Sequence, residues 1–100
     1  MIVVLTTMPD SMSARKLAGE LVRKKLAACV SLLGDVASVY RWKGKIEKAR
    51  ECLVVIKTSK SRWKALEKFV LSRHPYEFPE LIALPVTLAS KKYLSWILKS

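Results

Sequence analysis

The sequence predicts an α+β sandwich of the ferredoxin-like βαββαβ plan, with a long hairpin joining its second and third strands and an extra C-terminal helix. Three observations predict it. Short β-branched apolar runs and stretches of helical periodicity follow one another as strand, helix, strand, strand, helix, strand, helix. A turn signal, Lys43-Gly44, joins the two middle strands directly. The 100 residues have the size of one domain and show no linker, internal repeat or low-complexity segment, so residues 1–100 read as a single unit.

Residues 2–7 are apolar and β-branched and run into Pro9-Asp10-Ser11, which closes a buried strand and opens a helix. From Ser13, the residues Ala14, Leu17, Ala18, Leu21 and Val22 recur at helical spacing opposite Arg15, Lys16, Glu20, Arg23 and Lys24, as in a helix lying on a sheet. Ala28 to Leu33 is the next strand. Gly34-Asp35 bends or bulges it, and Val36 to Trp42 continues it with Tyr40 and Trp42 on one face. After the turn, where glycine supplies a positive φ, Ile46 to Thr58 returns antiparallel. Ser59 or Ser61 is placed to cap a second helix whose stripe is Trp63, Leu66, Phe69 and Val70, and Pro75 ends it. Leu81 to Val86 is the last strand, with Pro85 demanding an edge or a bulge. Ser90 is placed to cap the terminal helix through Tyr93, Leu94, Trp96 and Ile97.

With 51% apolar residues and three Trp, the chain has more apolar material than a domain this small, which hides roughly two-thirds of its unfolded surface, readily buries alone. Contacts between subunits are the expected destination of the surplus. Nineteen Lys and Arg against eight Asp and Glu give a net charge of +11, which raises nucleic acid as a partner, but the basic residues are scattered as on a solvated surface. The start, Met1 to Thr7, has no basic leader or small-residue cleavage site, and no apolar run approaches the ~18 residues of a membrane span. The expectation is a chain neither secreted nor inserted in a membrane, with Cys29 and Cys52 as free thiols.

A ferredoxin-like plan with a basic surface suggests an RNA-recognition domain, but that module stacks bases on aromatics of its third strand. Lys43 to Ser61 contains no aromatic residue, so sequence-specific nucleic-acid binding is not expected. A two-residue turn without a bulge sets Trp42 against Lys45, Cys29 against Thr58 and Cys52 against Asp35, leaving the cysteines about 20 Å apart along the strands, beyond disulfide reach. A bulge shifts this register by one. Tyr40 and Trp42 near the tip of a projecting hairpin are candidates for an intersubunit contact or a cleft wall. The stretch Arg73-His74-Pro75-Tyr76-Glu77-Phe78-Pro79-Glu80 is a proline-stiffened loop suited to holding side chains for a ligand; otherwise His74 caps the helix and Tyr76 anchors the loop. Thiolate and imidazole suit copper and zinc, which makes Cys29 and His74 candidate metal ligands, although no paired spacing supports them. No orienting third group accompanies a Cys-His pair, and Gly19, Gly34 and Gly44 form no phosphate loop, so no catalytic site is expected.

Taken together, Leu26-Ala27-Ala28-Cys29-Val30, Tyr40-Arg41-Trp42-Lys43-Gly44-Lys45, Ile56-Lys57-Thr58, His74-Pro75-Tyr76-Glu77, Ala83-Leu84-Pro85-Val86 and Tyr93-Leu94-Ser95-Trp96 resemble the CutA family of divalent-cation tolerance proteins from end to end. The resemblance implies a cytoplasmic, non-catalytic homotrimer and a part in tolerance of copper and other divalent cations, with no cofactor required for folding. It also implies a lateral cleft between subunits drawing on Cys29, Trp42, Lys57, Tyr76 and Glu77, with His74 at the start of its loop. The sequence departs from the pattern at Thr6 and Arg73, where family members proposed to bind copper have Cys and His, so two soft ligands are missing. The alternative from another class is a basic module associated with nucleic acid or serving as a protein scaffold.

Overall fold

In the computed structural model of residues 1–100, the β-branched run at the start becomes β1 (Ile2–Met8), an inner strand. The first helix, α1 (Ser11–Arg23), begins where Pro9-Asp10-Ser11 places its start, with Asp10 capping it by accepting the Ser13 N–H at 2.7 Å. Then come β2 (Cys29–Trp42) and β3 (Lys45–Thr58), the arms of the hairpin. Neither Ser59 nor Ser61 caps the next helix: the chain passes through a 3-10 turn at Lys60–Arg62, the two hydroxyls bond each other at 3.1 Å, and α2 (Trp63–Arg73) follows directly. The last strand, β4 (Ile82–Pro85), is shorter than the sequence suggests, and α3 (Lys91–Lys99) closes the chain with the backbone carbonyl of Ser90, not its hydroxyl, accepting from Leu94.

The four strands lie in the order β2-β3-β1-β4, all antiparallel neighbours, which is the ferredoxin-like arrangement the element order predicts. Pro85 sits on edge strand β4, where a missing donor is tolerated. Lys43 and Gly44 both have positive φ, 50° and 78°, so the turn is of the primed type that matches strand twist, and Trp42 pairs with Lys45 as expected. The ladder slips between Leu33 and Val36, with Asp35 at φ 59°. That bulge moves the inner register by one, so Cys29 faces Lys57 in place of Thr58.

Alternation then divides the sheet. Ile2, Val4, Met8, Cys52, Val54 and Ile56 point to one side and pack under Leu17 and Leu21 of α1 and Leu66 and Val70 of α2, forming the core. Leu5, Leu53 and Val55 point to the other side, where α3 covers only one end: Ile97 is fully buried there, outside the main core, and Tyr93 lies against Cys29. The rest of that face is open, with Leu33 52%, Ile82 49% and Leu84 45% exposed. Only 18 of the 100 residues are buried, so the apolar surplus read from composition is visible on the surface of the single chain.

Candidate functional site

The hairpin's length creates the site. Each arm has 14 residues, and the pair extends beyond the helices, giving the molecule a long axis of 45 Å against 26 and 23 Å. After the bulge, Ser38, Tyr40 and Trp42 of β2 face the same side as Glu51 of β3, which is the side of Thr7 in β1. The loop after α2 folds back against this surface. Its course is set where α2 stops: His74 takes an extended conformation before Pro75 and its N–H still bonds the Val70 carbonyl at 2.9 Å. The result is a groove of roughly 890 Å³ between the hairpin and the Pro75–Glu80 loop, with Trp42, Tyr76, Phe78, Glu51, Glu77 and Glu80 among its lining. Trp42 and Phe78 close one end, ring centroids 5.7 Å apart.

Polar contacts fix the loop. The Tyr76 hydroxyl donates to Glu51 Oε2 at 2.9 Å, joining loop to sheet. Burial pushes the Tyr76 phenol up to about 12, and the Glu51 carboxylate that accepts its hydrogen bond reinforces the shift. For Glu51, burial works to raise the pKa, but hydrogen-bonding contacts from Ser38, Tyr76 and Thr7 outweigh it and hold the carboxyl below its ordinary value. The groove therefore keeps an ionised carboxylate in its wall.

His74 has both ring nitrogens engaged. Nδ1 accepts the Tyr76 N–H at 3.2 Å and Nε2 donates to the Thr7 carbonyl at 2.7 Å, so the loop is pinned to β1 through a neutral imidazole. Burial lowers its pKa, more than the Thr7 carbonyl and the Glu51 charge raise it. A second cluster lies at the other end of the sheet, where Lys57 Nζ donates to Ser31 Oγ at 2.5 Å and stands 3.8 Å from Cys29 Sγ.

Of the residues selected from sequence, Trp42, Tyr76 and Glu77 line the groove, with His74 behind the loop. Cys29 and Lys57 lie apart from them within one chain. The ladder places Cys29 beside Lys57 and Val3, whereas His74 bonds Thr7, four positions along β1 or about 13 Å away. The two proposed metal ligands therefore do not meet in a single copy, and no set of three His, Cys, Asp or Glu converges anywhere in the chain. Thr6 lies in the core on the helix side, and Arg73 pairs with Glu20 at 3.4 Å and covers Phe69, so neither departure from the copper-binding pattern falls in the groove. Glu51 was missed by sequence reasoning, since a lone glutamate on a strand carries no signal that a distant loop will bury it.

A ferredoxin-like sandwich with a projecting hairpin defines the fold class to which the comparisons with known proteins can be held. The family model described as CutA1 divalent ion tolerance protein matches residues 2–100, and the chain belongs to that family. It is 45% identical over 96 residues to the divalent-cation tolerance protein CutA of Citrobacter koseri, covering 96% of this chain and 84% of that one. It is 44% identical over 99 residues to the chloroplastic CutA protein of Arabidopsis thaliana, covering 99% of this chain but 54% of that one, and spans a similar half, 51%, of the mouse CutA protein. Among solved structures, the Cut A1 divalent cation tolerance protein of Thermus thermophilus superposes with a TM-score of 0.95 at 38% identity, covering 99% and 97% of the two chains. CutA1 of Oryza sativa gives 0.93 at 43% identity, with 96% and 88% covered.

Proposed function

We propose that this protein works as a non-catalytic, cytoplasmic homotrimer in divalent-cation tolerance, binding a divalent ion such as copper or a small ligand at clefts between its subunits. The observation that carries the reading is the half-open apolar face of the sheet. Leu33, Ile82 and Leu84 stand in water in a single chain, a surface that association of copies would cover. The hairpin supports the same reading. Its tip stands about 40 Å along β2 from Cys29 and Lys57, so a neighbour's hairpin is what would carry Trp42 and Tyr40 toward such a cluster.

A divalent ion is cargo in this reading. One copy offers no converging ligand set, and both nitrogens of its only imidazole are engaged, so ligands from two copies would complete an ion site. Cys29 is its soft donor, partly exposed and reduced. Light scattering after gel filtration is expected to give three times the chain mass at micromolar concentration; a monomer removes the cleft. Calorimetry with Cu(II) is expected to show binding that Cys29→Ser weakens, while His74→Gln leaves a step of similar affinity. Loss of that step in His74→Gln alone would overturn this assignment of ligands.

A further inference from the structure

The groove between the hairpin and the Pro75–Glu80 loop has the wrong sign for its surroundings. The chain carries +11, yet three of its eight acidic residues, Glu51, Glu77 and Glu80, line this one concavity, where Arg41 is the single cation. The acidic groups are interleaved with flat aromatic surface from Trp42, Tyr76 and Phe78. Carboxylates alternating with π-faces favour a cation that also has an apolar body, because ring quadrupoles attract an ammonium while methylene groups pack on the rings. The molecule already displays that affinity: the Lys43 ammonium stands 5.8 Å from the centroid of the Trp42 ring.

A bare divalent ion fits these residues poorly. Magnesium or calcium takes six or more oxygen ligands at about 2.0–2.6 Å, and the groove's carboxylates do not converge into a ligand set. Three carboxylates that line one groove without forming a common ligand set match charges that are themselves separated. Glu51 is 9% exposed and holds its charge in the groove wall through contacts from Tyr76 at 2.9 Å, Ser38 and Thr7. The volume, roughly 890 Å³, is that of a site for a small organic molecule.

We propose that this groove binds an aliphatic polyamine, its ammonium groups against Glu51, Glu77 and Glu80 and its methylene chain along Trp42, Tyr76 and Phe78. The assignment rests on reading the groove as a ligand cleft and replaces an unspecified small ligand by a chemical class.

The test is a titration of the 15N-labelled, assembled full chain with spermidine at low salt, followed by the indole N–H resonances. Trp42 is expected to shift saturably while Trp63 and Trp96 stay in place. Glu77 and Glu80 are both exposed, so the double variant Glu77→Gln, Glu80→Gln folds normally, and it is expected to weaken binding about tenfold or more, equivalent to about 1.4 kcal/mol. An unmoved Trp42 resonance, or equal affinity in the double variant, overturns the proposal. A Trp42 indole already protected from exchange in the assembled protein, with no spermidine response, also overturns it and makes a second copy the groove's occupant. Parallel Cu(II) calorimetry separates the two readings. Copper binding without a spermidine response sinks the polyamine and leaves cation tolerance standing, while a spermidine response without copper binding upholds the polyamine and removes the metal.

Discussion

His74 shows how one side chain sets a pH dependence. Its neutral ring accepts from Tyr76 and donates to Thr7, and protonation would remove the lone pair that Tyr76 needs. Its folded pKa lies below the ordinary 6.5, with burial the main cause. The unfolded chain therefore binds the proton more readily, so this contribution to stability is complete above pH 6.5 and is lost as pH falls through the folded value. Thermal melts between about pH 7.5 and 5 are expected to show a falling midpoint. In His74→Gln that slope flattens; an unchanged slope would show that the ring does not govern the loop.

At the scale of elements, the hairpin and α3 depend on opposite resources. The turn rests on backbone conformation: Gly44 at φ 78° accepts no side chain cheaply, so Gly44→Ala is expected to cost about 1–2 kcal/mol in chemical denaturation. α3 rests on burial, with fully buried Ile97 fixing it to the sheet face that α1 and α2 leave uncovered. Ile97→Ala is expected to cost about 2–5 kcal/mol and to raise amide exchange across residues 91–99 more than across β1. Uniform acceleration over the sheet would place Ile97 in the main core instead.

For the whole molecule, positive charge dominates the surface. The outer surfaces of α1 and α2 carry Arg15, Lys16, Arg23, Lys24, Lys64 and Lys68, all exposed, and only two ion pairs form in the chain, Arg73 with Glu20 and Arg50 with Asp35. Such a surface attracts polyanions without reading them, because no aromatic platform accompanies it. Retention on DNA columns is expected to fall steeply with salt and to be the same for unrelated sequences. Elution that depends on sequence would restore nucleic-acid recognition as a function.

Local rules carried most of the architecture. The β-branched apolar run in residues 2–7, the helical stripe from Ala14 to Val22, the Lys43-Gly44 turn and the proline at position 85 each constrain a few neighbouring residues, and together they agree with the sheet order found. Where local rules offered a cap, as at Ser59, Ser61 and Ser90, the hydroxyls were not used for it, and the first two bond each other instead.

By itself the sequence determined the element order, the free thiols and the choice of Trp42, Tyr76 and Glu77, since periodicity, turn chemistry and an unusual proline-bounded loop are written in adjacent residues. Only the tertiary structure decided that Glu51 joins them, that His74 spends both nitrogens on the loop, and that Cys29 and Lys57 lie elsewhere in the chain. Those facts depend on a one-residue slip at Gly34-Asp35 and on a loop returning from far along the chain. A bulge changes every facing pair beyond it, and burial of a distant strand residue by that loop leaves no trace in local pattern.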